Sequence, residues 1–317
     1  MQKLLVAGAS GYLGRYMVME LKKAGYWVRV LVRDAEALKR GGHDDAPAVY
    51  GQADEVWKAD LLRPETMKQA FEGMDGVFSA VGMTRQKGTA SFMDIDYQAN
   101  LNLLKLAEQY GAGYMMYVHA HGAEGCKSQL IRAKQRFVEQ LKNSPIPHLV
   151  IQPTGYYSDM SEMLKMARKG TVYLIGKGEH RMNPIHGRDL AAFCVQCLTP
   201  FSSSSASKGK PADGGVYSVG GPEVYTYRQM AELARESSGR NGKIVSVPVW
   251  LLKSLYPILW LFSRKRYHLL RFFLFAMTHD VVAPTHGSQT LEDYYQSWTE
   301  KGTASDEEVS ANETKTG

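Results

Sequence analysis

A strand, a glycine turn and a helix open the chain, and this order constrains the fold more than any later feature. Lys3-Leu-Leu-Val-Ala7 is a short apolar run, Gly8-Ala9-Ser10-Gly11-Tyr12-Leu13-Gly14 follows it directly, and Leu13, Met17 and Leu21 then recur at helical spacing. Lys22 and Lys23 supply a basic last turn, Gly25 a stop, and Trp27-Val-Arg-Val-Leu-Val32 a second strand. A βαβ unit therefore closes within about thirty residues. Gly8 and Gly11 let the backbone turn sharply and come close to a pyrophosphate, Gly14 lets the helix pack tightly on the strand, and the helix N-terminus presents N–H groups without helical partners. GxxGxxG in this setting predicts dinucleotide binding through Gly8 to Gly14.

The end of the second strand bears on which dinucleotide. An acid there would take the ribose hydroxyls, but Arg33 comes first and Asp34 second. An arginine pairs with a 2′-phosphate, so NADP is the expected cofactor. NAD is the alternative if Asp34 turns inward.

Strands at Glu55–Ala59, Gly76–Val81, Tyr114–Val118 and His148–Ile151 alternate with helices at Pro64–Phe71, Asp94–Tyr110 and Leu130–Leu141. Such alternation predicts an α/β fold, a Rossmann-type doubly wound parallel sheet. Ligands of these sheets lie beyond the carboxyl ends of the strands. Asp60 and Leu61 are thus expected beside the adenine, and Ala80, Val81, Gly82, His119 to His121, Pro153, Thr154 and Tyr156 around the nicotinamide. From Tyr157 the pattern becomes mixed, with short strands at Thr171–Ile175, Val216–Val219 and Ile244–Val247 between helices. The expected organisation is an NAD(P)-binding domain over 1–156, a smaller substrate-side lobe over 157–299, and a disordered tail over 300–317. Residues 202–215, rich in Ser, Lys, Gly and Pro, read as a surface loop.

Of 317 residues, 44% are hydrophobic and 22% charged, with a net charge of +6. The cations are scattered, which argues against nucleic acid as a partner. The densest group, Arg264-Lys-Arg266, interrupts the apolar segment 250–277. Each uninterrupted stretch of that segment is shorter than the roughly 20 residues that span a bilayer. It is expected either to lie at a membrane surface or to cover the substrate lobe. Three cysteines and no cleavable leader predict a reducing, cytoplasmic setting without disulfides. Cys194-Val-Gln-Cys197 sits in an apolar helical stripe and reads as core, not metal; Met160, Met163 and Met166 are either core or an adaptable pocket wall.

Gly8 to Gly14, Val30-Leu-Val-Arg33, Ala59-Asp-Leu61 and Arg132-Ala-Lys134, followed by a strand ending Gln152-Pro-Thr-Gly155, resemble the atypical short-chain dehydrogenase/reductase superfamily over roughly residues 1 to 295. Ile151 to Met160, Asn183 to Leu190 and Thr278 to Pro284 are most similar to the subgroup that includes divinyl chlorophyllide 8-vinyl reductase. The resemblance implies that Lys134 holds the nicotinamide ribose. It also implies a tyrosine four residues earlier as the acid, but Leu130 stands there, and the usual serine region reads Val118-His-Ala-His121. Ordinary carbonyl reduction is therefore disfavoured. The expectation is NAD(P)H-dependent reduction of a hydrophobic small molecule at an activated double bond, with Lys134 positioning the cofactor and His119, His121, Tyr156 or Tyr157 giving the proton. The alternative is a non-catalytic NADP(H) sensor or assembly factor, as in accessory subunits that share this fold.

Overall fold

The computed structural model describes residues 1–42, 44, 46–83, 89–202 and 215–298. The elements run β1 (Lys3–Ala7), α1 (Tyr12–Lys23), β2 (Trp27–Val32), β3 (Glu55–Lys58), β4 (Gly76–Ser79), α2 (Asn100–Gln109), β5 (Tyr114–Val118), α3 (Gln129–Lys142), β6 (His148–Pro153), α4 (Tyr157–Arg168), β7 (Thr171–Ile175), β8 (Arg181–Met182), α5 (Gly187–Ser202), β9 (Gly215–Val219), β10 (Tyr225–Thr226), α6 (Tyr227–Ser237), β11 (Lys243–Val247), α7 (Val249–Lys253), α8 (Tyr256–Phe262) and α9 (Arg264–Met277). Seven parallel strands form one sheet in the order β3-β2-β1-β4-β5-β6-β9. The order reverses between β1 and β4, and a crevice opens at such a switch point.

Period-two alternation sends each strand's side chains to both faces, and in the central strands β1, β4, β5 and β6 both faces are buried. Leu4, Val6, Val28, Val30, Met116 and Ile151 join residues of α1 and α5 in one core. Leu5, Ala7, Leu31, Met115, Tyr117 and Val150 join residues of α2 and α3 in the other. Burial on both faces explains why the strands read as continuous apolar runs.

Three local features differ from the sequence expectations. Pro64–Phe71 forms two short 3₁₀ turns, Pro64–Thr66 and Lys68–Phe71, in place of one helix. The helix expected from Asp94 begins as a π-helical segment, Met93–Ala99, before continuing as α2. β9, from the stretch assigned to the smaller lobe, pairs with β6 in the main sheet, Ile151 beside Tyr217. The chain thus leaves the sheet after β6, returns through α5 and β9, and leaves again. The expected surface loop falls almost wholly on residues 203–214, and the expected tail on 300–317; both lie outside the described residues.

The lobe has its own core, in which Met160 and Met163 of α4 pack with Tyr157, Met230, Tyr294 and Tyr295. Core packing therefore accounts for the methionine spacing. Cys194 is fully buried in the α1–α5 core, and burial pushes its thiol up; burial also pushes Cys197 up to about 11. Asn183 ties the segment before α5 to the segment after α9: its Nδ2 donates to Ala283 O at 2.8 Å and its Oδ1 accepts from Ala283 N at 3.1 Å. Asp189 Oδ2 accepts from Ser288 and Gln289 backbone N–H groups at 3.0 and 2.9 Å. Both residues of that motif are structural clasps.

Candidate functional site

The glycine turn has the geometry that its spacing demands. Gly8 has φ +84°, in the left-handed region, and Gly11 N donates to Gly8 O at 2.9 Å, closing the turn. A Cβ on Gly14 would stand 2.1 Å from Gly8 O and 2.8 Å from Ala9 Cα. Gly11 caps α1 without any side-chain bond, and the first turn of a helix carries N–H groups that have no partner within the helix. These residues fit a pyrophosphate. Ala9 and Leu13 are buried, leaving their backbone to the site; Ser10 O accepts from Arg15 Nε at 3.1 Å. Tyr12 packs on Tyr156 with ring centroids 5.8 Å apart, and its hydroxyl accepts from Gly187 N at 3.1 Å.

Beyond β2, Asp34 is committed locally: its carboxylate accepts from Glu36 N at 3.0 Å and caps a short 3₁₀ turn. Arg33 is exposed. Arg15, buried in α1, holds the following loop by donating to the carbonyls of Ala37, Arg40 and Pro47 at 2.5, 2.7 and 2.7 Å. Asp60 Oδ1 accepts from Leu62 N, and Leu61 O accepts from Asn102 Nδ2 at 2.9 Å, so the segment after β3 is fixed by α2.

The strand ends across the switch point hold the strongest electrostatic feature. Lys134 Nζ lies 3.2 Å from Asp96 Oδ1, with the Asp96 side chain fully buried and that of Lys134 12% exposed. Lys134 also reaches Tyr117 Oη and Val118 O, both at 3.4 Å. Burial opposes its charge, but Tyr117, Asp96 and Tyr156 outweigh that opposition and hold the ammonium above its ordinary value. Burial pushes Asp96 up, against the pull of Lys134. Asp96 Oδ2 has no hydrogen-bond partner among the described residues. Exposed Gly82 completes the arrangement, since a Cβ there would stand 2.8 Å from Lys134 Nζ and 2.9 Å from Asp96 Oδ1. Behind it, Asn100 Nδ2 donates to Val81 O at 3.2 Å and its Oδ1 accepts from Ser79 at 2.5 Å, so α2 fixes the β4 exit on which Ala80 to Gly82 sit.

Asp96 and Asn100 were not among the residues singled out by sequence. The available signal was two polar residues on the same face as Ala99, Leu103 and Leu104 of an otherwise apolar helix. The π-helical segment obscured it by shifting the 3.6-residue register, and such segments recur at functional sites.

The proton-donor candidates separate clearly. His121 donates from Nε2 to Val282 O at 3.1 Å and has Nδ1 3.0 Å from Ser218 Oγ, a structural pairing. Tyr157 is buried and donates to Gln289 O at 2.6 Å. Thr154, likewise buried, donates to Asn183 O at 2.6 Å, while Pro153 O accepts from His121 N at 2.9 Å. His119 Nδ1 accepts from Ala120 N at 2.7 Å, and burial together with the Lys134 charge pulls its pKa down to about 4. It is a neutral imidazole at physiological pH. Tyr156, raised by burial while Lys134 opposes the rise, remains a protonated phenol.

His119 sets an acid limit on stability. Between about pH 6.5 and 4 the unfolded chain takes a proton that the folded state refuses, so stability falls as the pH drops through that window, by up to about 3 kcal/mol. Urea denaturation from pH 7 to 4.5 should show this slope, and His119→Asn should flatten it. An unchanged slope in the variant would assign the acid limb to other groups.

Leu130, where the resemblance leads one to expect tyrosine, is buried among Met83, Phe92, Cys126 and Ile131, with Leu269, Phe272 and Phe275 of α9 packed against that group. An apolar wall replaces a hydroxyl. Among the described residues, no group of three His, Cys, Asp or Glu side chains is placed to hold a metal.

A family model described as NAD(P)H-binding matches residues 8–200. Divinyl chlorophyllide a 8-vinyl-reductase of Zea mays is 25% identical, with 96% of this chain and 81% of that protein covered. Photosystem II assembly factor Ycf39 of Trieres chinensis is 24% identical over 82% of this chain and 76% of its own length. Among solved structures, the NADPH-dependent quinone oxidoreductase QOR2 of Escherichia coli, complexed with NADPH, superposes with a TM-score of 0.67, covering 93% of this chain and 99% of that one at 16% identity. The match over residues 8–200, more than half of the chain, establishes that the chain belongs to the NAD(P)H-binding family.

Proposed function

We propose that this protein is an NADP(H)-dependent reductase of a hydrophobic small molecule, adding hydrogen across an activated carbon–carbon double bond. The observation that carries this reading is the buried Lys134–Asp96 pair beside Gly82, facing a site whose tyrosine position is filled by the apolar Leu130 wall. When bound, the reduced nicotinamide supplies the hydride. Gly8 to Gly14 hold the pyrophosphate, Arg33 meets the 2′-phosphate, and Lys134 fixes the ribose with an ammonium that Asp96 keeps charged. Leu130 and its neighbours exclude water from the acceptor. Tyr156 retains a proton at neutral pH and lies within the field of Lys134, which stabilises the phenolate left when that proton is given. His119, neutral and bonded to Ala120, shapes the site.

An anaerobic single-turnover assay tests the reading. NADPH absorbance should decay when lipophilic enones and tetrapyrroles are added to the loaded protein. A non-catalytic role is the second reading, favoured by the missing tyrosine at Leu130 and by likeness to an assembly factor. Binding of NADPH without acceptor-dependent oxidation across the panel favours that second reading.

Cofactor choice gives a separate prediction. Because Asp34 is occupied in capping and Arg33 is exposed, Arg33→Ser should weaken NADPH binding on the order of ten- to a hundredfold while leaving NADH binding nearly unchanged. Equal weakening of both nucleotides in parallel titrations would refute the 2′-phosphate assignment.

A further inference from the structure

After β11 the chain forms α7, α8 and α9, whose outer side is apolar and bare. Trp250 is 69% exposed, Leu261 70% and Phe262 80%, and Leu255, Ile258 and Trp260 are exposed beside them. A contiguous apolar patch of this kind on a folded chain marks an interaction surface. The segment from Val249 to His279 carries Lys253, Arg264, Lys265, Arg266 and Arg271 and no Asp or Glu. The Arg264 guanidinium stacks 3.7 Å over the Trp260 ring, joining cation and aromatic in one unit. The inner side is anchored: Ser128 Oγ donates to His268 O at 2.7 Å, and Gln129 N donates to His268 Nδ1 at 3.1 Å. The bare side is therefore held outward by the fold.

Charge decides the occupant. A second copy of the chain would bring an all-cationic segment against its equal, whereas an anionic lipid surface neutralises it. No described helix is long and apolar enough to cross a membrane, so the surface would lie in the interface. We propose that α7 to α9 dock on an anionic bilayer, with Trp260, Leu261 and Phe262 among the acyl chains and the exposed Arg264 and Arg266 at the headgroups. The opposite side of α9 contributes Leu269, Phe272 and Phe275 to the Leu130 wall, so a lipid-dissolved substrate would meet the site across one helix. Only that last route rests on the reductase reading; docking does not.

Flotation of the full chain with vesicles tests docking without any turnover. The protein should rise with phosphatidylcholine vesicles containing phosphatidylglycerol, at least about tenfold more than with phosphatidylcholine alone, and this excess should shrink at high salt. Brominated lipid should quench its tryptophan fluorescence. Leu261→Glu with Phe262→Glu should lower flotation about tenfold while NADPH binding persists, because both side chains point away from the core. Wild-type protein that stays at the bottom with both vesicle types overturns the proposal. Equal flotation of the double variant overturns it as well, and so does a wild-type dimer in gel filtration that the double variant abolishes.

Discussion

Lys134→Met should destabilise the fold by about 3–5 kcal/mol and abolish nucleotide-dependent turnover. The first effect follows from burial. Asp96 is fully enclosed, its Oδ2 has no hydrogen-bond partner among the described residues, and removing the ammonium 3.2 Å from Oδ1 leaves an uncompensated charge in a buried position. The second follows from geometry, because the lysine stands beside Gly82 where the β4 exit meets the crevice. The two effects can be separated with a double variant. Lys134→Met combined with Asp96→Asn removes both charges, so most of the lost stability should return, while turnover should not. If the double variant regains turnover together with stability, Lys134 is only a structural cation. If the single variant is as stable as wild type, the buried pair does not carry the energy assigned to it. Denaturant midpoints and single-turnover rates on the three variants supply both readouts.

Gly14→Ala should lower NADPH affinity by roughly two orders of magnitude and cost about 3 kcal/mol of stability. The added methyl would meet Gly8 O at 2.1 Å and Ala9 Cα at 2.8 Å, all backbone, so no rotamer can yield and the turn itself must open. Gly25 supplies the control. Unlike Gly14, which has helical backbone, it has a positive φ, +83°, and nothing lies within 4 Å of where its Cβ would be. Gly25→Ala should show only the left-handed backbone penalty, about 1–2 kcal/mol, with NADPH binding retained. Equal loss of affinity in the two variants would mean that general destabilisation, not the shape of the turn, is being measured.

These two sites differ in how far sequence alone disclosed them. Gly8, Gly11 and Gly14 were legible because a tight turn between strand and helix permits few residue types, and their order in the chain is their order in space. The central strands were legible for a similar reason: helices cover both faces of β1, β4, β5 and β6, so these strands are mostly apolar. β9 was misplaced in the smaller lobe because sheet membership depends on a partner, β6, more than sixty residues earlier, and no local pattern encodes that pairing. Asp96 was missed because its meaning comes from Lys134 on α3, beyond α2 and β5, and because the π-helical turn disrupts the periodicity that would have flagged a carboxylate on an apolar face. Motif residues also changed role. Asn183 and Asp189 carry the family likeness yet serve as clasps for Ala283, Ser288 and Gln289. His121 and Tyr157, plausible acids by sequence, spend their polar atoms on Val282 and Gln289.

Equilibrium titration of NADPH and of NADH into the purified protein, followed by nucleotide fluorescence, tests the central claim most directly. The Gly8–Gly14 turn, exposed Arg33, committed Asp34 and the Lys134–Asp96 pair predict saturable one-to-one binding of NADPH, tighter than that of NADH. Absence of saturable binding for both nucleotides would contradict the assignment of this crevice as a working dinucleotide site.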